Sequence, residues 1–156
     1  FNLPTNEAEL DQLLVAMQHG ELAVPNVHPV SKKKRLRLRD LVDAPFVWFP
    51  RREATAFYDR LMHECCRGGL ESPRIVQEAA NEATILSLVS HGMGVGWVNG
   101  TARWRCPKHV VILSIADLNM PLPMALAWRR DNTSPLLVSF IAEVQRLPDV
   151  QALNKR

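Results

Sequence analysis

The sequence predicts an α/β fold, and three observations carry that reading. Short apolar runs of strand length alternate with stretches of helical period. Proline and glycine stand at most of the junctions between them. Nearly half of the 156 residues are apolar and 22% are charged, a balance that gives one ordinary domain a sizeable core and a solvated surface.

The elements follow in order. Leu13-Leu14-Val15-Ala16-Met17 predicts a first strand, followed by an irregular segment with Gly20, Pro25 and Pro29 that ends in Lys32-Lys33-Lys34-Arg35. Leu36, Leu38 and Leu41 predict a short helical piece that Pro45 ends. Phe46-Val47-Trp48-Phe49, between Pro45 and Pro50, reads as a buried strand. From Glu53 to Arg67, Phe57, Leu61 and Cys65 recur every four residues, with Gly68-Gly69 as the stop, which predicts a helix. Pro73 opens a strand over Arg74–Gln77. A helix from Glu82 to His91 buries Ile85, Leu86, Leu88 and Val89 and ends at Gly92. Gly94–Val98 is the next strand, and Gly94 and Gly96 permit close backbone packing or a tight turn. Val110–Leu113 and Met124–Trp128 read as further strands, separated from what precedes them by irregular chain around Trp104 and Pro107. Ser134-Pro135 predicts a helix start, with Ser134 as acceptor for a free N–H and Pro135 at the first helical position. Leu137, Phe140, Ile141 and Val144 predict one buried stripe on that helix.

Composition excludes several classes. The net charge of +3 does not mark a nucleic-acid binder by itself. Three cysteines, two of them adjacent (Cys65, Cys66, Cys106), make a poor disulfide framework and point to a reducing compartment. No apolar run reaches the roughly 18–20 residues of a membrane span, and the first residues lack the pattern of a secretory signal. The expected location is therefore cytoplasmic, with no membrane partner. The absent initiator Met carries the expectation of a cut, processed or incompletely represented chain. The histidines (His19, His28, His63, His91, His109) have no ligand spacing, and no metal or cofactor motif appears, so no metal, cofactor or catalytic residue is assigned. Cys65-Cys66 raises a redox switch, but neighbouring helix positions diverge by about 100°, and small helix residues are the better reading. The basic run with Arg37 and Arg39 reads as a solvated segment with leucines packed on one side, phosphate contact being secondary.

Residues 36 to 147 carry a resemblance. The strand ending in Phe49-Pro50, the Gly69-Leu70 turn, Ile75-Val76-Gln77-Glu78 before a helix, Leu88-Val89-Ser90-His91-Gly92-Met93-Gly94-Val95, and Trp128-Arg129 followed by Ser134-Pro135 occur in the order and spacing of LysR-type effector domains. The chain resembles the effector-binding part of that family of transcriptional regulators. The resemblance implies a periplasmic-binding-protein-like (type 2) fold of two lobes, mixed sheets flanked by helices, and a small effector in the cleft between lobes. It divides the chain into 1–18 (remnant of lobe I and first crossover), 19–107 (lobe II) and 108–156 (second crossover and the C-terminal part of lobe I). The crossovers, near Leu13–Gln18 and after Pro107, would act as a hinge. The family's helix-turn-helix and the opening half of the first lobe have no counterpart here, and Asn99 stands where the family often has Pro.

The best candidate site is the loop Pro50–Ala56 leading to Phe57. In such folds ligands sit at strand carboxyl ends near helix N-termini, where free N–H groups attract anions. By resemblance Thr55 and Phe57 match effector-contacting positions. Arg51 and Arg52 lie close by, with a guanidinium fork suited to a carboxylate. Against this stands the reading of both Arg as loop charges and Phe57 as core. The second candidate is Asn81-Glu82-Ala83-Thr84, represented by Asn81, Glu82 and Thr84; its plain alternative is an N-cap by Asn81.

The resulting expectation is an effector-sensing domain that binds a small anionic or aromatic molecule and changes oligomer geometry and transcription. Its implied partners are the effector, DNA through a helix-turn-helix outside this chain, a second copy in a homodimer or homotetramer, and RNA polymerase. The alternatives are a transport solute-binding protein and an α/β enzyme. Ser87, Ser90, His91 and Cys66 would supply groups for the enzyme, but no G-x-S-x-G elbow or phosphate loop supports it.

Overall fold

A computed structural model describes residues 8–154 of the chain. Its first strand, β1 (Leu10–Pro25), is three times the length predicted. Residues 20–23 pair antiparallel with residues 96–99, and residues 22–25 pair with residues 110–113. The first part of the segment expected to be irregular is therefore strand: Gly20 lies in a paired ladder, and Pro25 is tolerated because it is the last strand residue, while beyond it the chain is irregular apart from a 3-10 turn, Pro29–Lys32. The remaining strands are β2 (Pro45–Trp48), β3 (Arg74–Glu78), β4 (Val95–Asn99), β5 (Val110–Leu113) and β6 (Pro121–Arg129); the helices are α1 (Thr55–Arg67), α2 (Glu82–Ser90), α3 (Pro135–Arg146) and α4 (Pro148–Asn154). The leucine-rich piece after the basic run is a 3-10 turn, Leu38–Leu41, and the stretch around Trp104 is another, Gly100–Arg105.

Two compact units result. His19–Met120 forms one; the residues up to Gln18 and those from Pro121 onward form the other. β5 lies inside the first of these.

In the larger unit the strand order is β3-β2-β4-β1-β5, with β2 parallel to both β3 and β4. Alternation along the strands feeds two cores. Leu22, Val24, Phe46, Trp48, Val95 and Trp97 face one side, where Leu61 and Cys65 of α1 complete the cluster. Ala23, Val47 and Val98 face the other, against Ile85, Leu86 and Val89 of α2. Burial on both faces explains why these strands read as unbroken apolar runs. Each fully buried large side chain contributes roughly 1.5–3 kcal/mol. Phe46, Trp48 and Trp97 form an aromatic centre, with Trp48 5.3 Å from Phe46 and 5.5 Å from Trp97 in edge-on contact.

In the smaller unit β6 pairs with β1. Leu13, Ala125 and Val150 are its buried apolar residues among those described. Asn154 Nδ2 donates to the Leu14 carbonyl at 2.8 Å, which ties α4 to β1. The stripe predicted for α3 is not buried: Leu137, Ile141 and Val144 are half-covered and Phe140 is exposed. Among the described residues, a two-strand ribbon and a seven-residue helix leave that stripe partly uncovered. The expected cap is also different. Ser134 caps no helix N–H; its own N–H donates to Asn132 Oδ1 at 3.0 Å. The sequence pattern predicts no element after the α3 stripe, and Pro148 is the first residue of a further short helix. Among the described residues no helix is long and apolar enough to cross a membrane.

Candidate functional site

β2, β3 and β4 run parallel, so their carboxyl ends share one edge of the sheet. The chain leaves that edge through three turns. After β2, Pro50 is buried, Arg51–Glu53 makes a 3-10 turn, and α1 starts. After β3, the Ala79 N–H donates to the Trp48 carbonyl at 2.8 Å, and α2 starts three residues later. After β4, Asn99 caps the turn Gly100–Arg105 by accepting from the Thr101 N–H at 2.9 Å, with the Thr101 hydroxyl on the same oxygen. Asn99 thus does with a side chain what proline would do with a fixed φ.

The two helix starts differ in chemistry. α2 is closed: Asn81 Oδ1 accepts from the Thr84 N–H at 2.8 Å and from the Thr84 hydroxyl at 2.9 Å. Asn81 and Thr84 are therefore a cap and its partner. Glu82 turns away to accept from the Asn99 N–H at 3.0 Å and from Arg105 Nη2 at 2.6 Å, which ties α2 to the end of β4. α1 is open. It starts from Ala54, whose side chain has no acceptor, and among the described residues no side chain caps its first-turn N–H groups. Those groups carry the positive end of the helix dipole at an exposed position.

The loop residues sort accordingly. Arg51 is held by Asp59, one turn into α1, through Nε–Oδ1 at 2.7 Å and Nη2–Oδ2 at 2.6 Å. That hydrogen-bonded pair holds the Asp59 carboxyl below its ordinary range and raises the Arg51 guanidinium. Arg52 has only a loose contact with Glu53 at 3.7 Å, so it is the freer cation of the two. The Thr55 hydroxyl is exposed and donates to the Arg51 carbonyl at 3.2 Å, leaving its lone pairs outward. Phe57 stacks on Phe49, with centroids 5.6 Å apart, and is half-buried against the aromatic core. Pro50, Arg52, Thr55 and Phe57 thus lie around one open helix start, whereas Arg51, Asn81, Glu82 and Thr84 are engaged in holding the frame.

Sequence reasoning missed Glu21. It is buried beside that edge, accepting on Oε1 from Arg103 at 2.6 Å and from Ser114 at 2.9 Å. The available signal was a carboxylate directly before the apolar run Leu22-Ala23-Val24. The three cysteines are free, and burial pushes the Cys65 thiol up to about 12. His91 ends α2 with Nδ1 2.8 Å from the Ser87 carbonyl.

A family model described as the LysR substrate binding domain matches residues 2–148. The chain is 38% identical over 106 residues to the HTH-type transcriptional regulator IlvR of Caulobacter vibrioides, covering 68% of this chain and 35% of that one. It is 30% identical over 130 residues to the HTH-type transcriptional regulator YwbI of Bacillus subtilis, covering 83% and 42%. It thus spans less than half the length of these relatives. In structure it resembles the BenM effector binding domain, solved with its effector benzoate, at TM-score 0.76 and 20% identity, over 99% of this chain and 70% of that one. That likeness shows the fold, which is the one used by the effector-binding domains of LysR-type regulators. The chain belongs to the LysR substrate-binding domain family.

Proposed function

We propose that this chain is the effector-sensing part of a LysR-type transcriptional regulator and that it binds a small carboxylate, aromatic or aliphatic. The observation that carries the reading is the uncapped start of α1 at the shared carboxyl edge of β2, β3 and β4, in a chain of this family. Its N–H groups and the Arg52 guanidinium supply hydrogen bonds and positive charge for one carboxylate, and the Thr55 hydroxyl joins them by turning its proton from the Arg51 carbonyl to the ligand. Phe57 and Pro50 supply an apolar edge. Arg51 is a positioning residue that holds the loop against Asp59.

A ligand changes transcription only by binding one arrangement of the protein better than another. The regulator's DNA contact belongs to a helix-turn-helix segment, as the names of the relatives imply. Assembly as a homodimer or homotetramer and contact with RNA polymerase belong to the same reading, as do a cytoplasmic location and the lack of enzymatic turnover.

Calorimetric titration with benzoate and with a panel of small carboxylates tests the proposal. Saturable binding is expected for at least one, with Thr55→Val weakening it by about 1–2 kcal/mol while the folded state persists. Absence of saturable heat across the panel, or unchanged affinity in Thr55→Val, removes this site.

A further inference from the structure

The basic run that precedes β2 is not uniformly solvated. Leu36, Leu38 and Leu41 are fully buried, while between them Arg37 is half-buried and Arg39 is exposed, with its Cβ beside Gly69 just past the end of α1. Leu38 packs so closely there that a Cβ on Gly68 would lie 2.3 Å from Leu38 Cδ1. The turn is anchored further by Asp117, whose Oδ1 accepts from the Leu38 N–H at 3.0 Å, and by Asp40, which accepts from the Arg37 N–H at 2.9 Å and pairs with Lys33 at 2.6 Å. Between turn and helix end lies a hollow of about 270 Å³ lined by Arg37, Arg39, Glu64, Arg67, Gly68 and Asp117.

The charges around it do not balance. Glu64 is taken up by Arg67, whose Nη1 reaches both carboxylate oxygens at 3.1 and 3.2 Å. Asp117 is engaged with the backbone of Leu38. Among the described residues no carboxylate lies within ion-pairing distance of Arg37 or Arg39. At the end of α1 the carbonyls of Glu64, Cys65 and Cys66, which would repel an anion, are met by the N–H groups of Gly68, Gly69 and Leu70. Three guanidinium groups line the hollow beside two carboxylates, Glu64 and Asp117, which leaves one positive charge in excess, and each guanidinium fork offers paired N–H donors to an oxyanion.

We propose that this hollow is a second ligand site, separate from the start of α1, and that it takes a phosphate-class dianion. The source is either free inorganic phosphate or the phosphoryl group of a phosphomonoester. Arg37 and Arg39 bind the oxygens, and Arg67 adds a third donor while Glu64 holds it in place.

Titration of the full chain with inorganic phosphate, and separately with phenyl phosphate, at constant ionic strength tests this. A saturable site sensitive to these arginines is expected below about 10 mM, at least about fivefold weaker in Arg39→Gln and in Arg37→Gln and unchanged in Lys108→Gln, an exposed cation outside both sites. Tighter binding of phenyl phosphate identifies the phosphomonoester as the source; equal binding identifies the free ion. Arg39 is exposed, so its variant reads binding even where Arg37→Gln disturbs folding. No saturable site for either ligand, or binding that Arg39→Gln leaves intact, overturns the proposal.

Discussion

Glu21 is buried inside the larger unit with Arg103 and Ser114 both reaching its Oε1. Removing Arg103 leaves a buried carboxylate with one neutral partner. Arg103→Met is therefore expected to lower stability by about 1–2 kcal/mol, less than a fully buried pair because half of the Arg103 side chain is exposed. Urea unfolding of the variant beside Ser114→Ala reads this, and equal midpoints for Arg103→Met and the parent would contradict it. Neither partner was legible beforehand, since they lie 82 and 93 positions along the chain from Glu21. Local chemistry was legible. The N-cap by Asn81 was readable because its acceptor and the Thr84 N–H are three residues apart. Arg51 is intermediate. Its fork suits a carboxylate, but nothing in the loop itself says that Asp59, eight residues on, supplies it.

At the scale of elements, close approach decides more than propensity. A Cβ on Gly94 would sit 2.2 Å from the Pro45 carbonyl oxygen, a backbone atom held in β2. On Gly96 it would sit 2.4 Å from the Ile85 Cγ2 methyl, a side-chain atom that gives way through a small shift of α2 instead of a break in the sheet. Gly94→Ala is thus expected to destabilise by about 2–3 kcal/mol and Gly96→Ala by less, with thermal or urea melts of both giving the order. The reverse order would show that α2, not β2, is the rigid neighbour. The segments with unbroken apolar runs, β2, β4 and β5, were readable because both faces are covered. The second half of β1 was not. Gly20 and Pro25 signal irregular chain locally, and only pairing with β4 and β5 makes them strand. The stripe on α3 erred in the opposite direction, since periodicity shows which face is apolar but not whether anything covers it.

For the whole molecule, burial is concentrated in His19–Met120, and native-state hydrogen exchange should reflect it. Amides of β2, β4 and residues 22–24 are expected to exchange at least about a hundredfold more slowly than those of α3, which has no buried side chain. Equal protection in α3 would mean that its half-exposed face is covered in solution. The family was legible because its motifs are local and ordered along the sequence; the open and closed helix starts were not, because they depend on which side chains reach which N–H groups. The smaller unit is built from two stretches of chain with about a hundred residues between them. At roughly 5–20 residues per second of synthesis, the first stretch leaves the ribosome about 5–20 s ahead of its partner β6. The interposed unit meanwhile has all of its own chain and can close. Leu13–Met17 therefore waits for its β6 partner through that interval of translation, an apolar stretch of the kind a ribosome-associated chaperone holds.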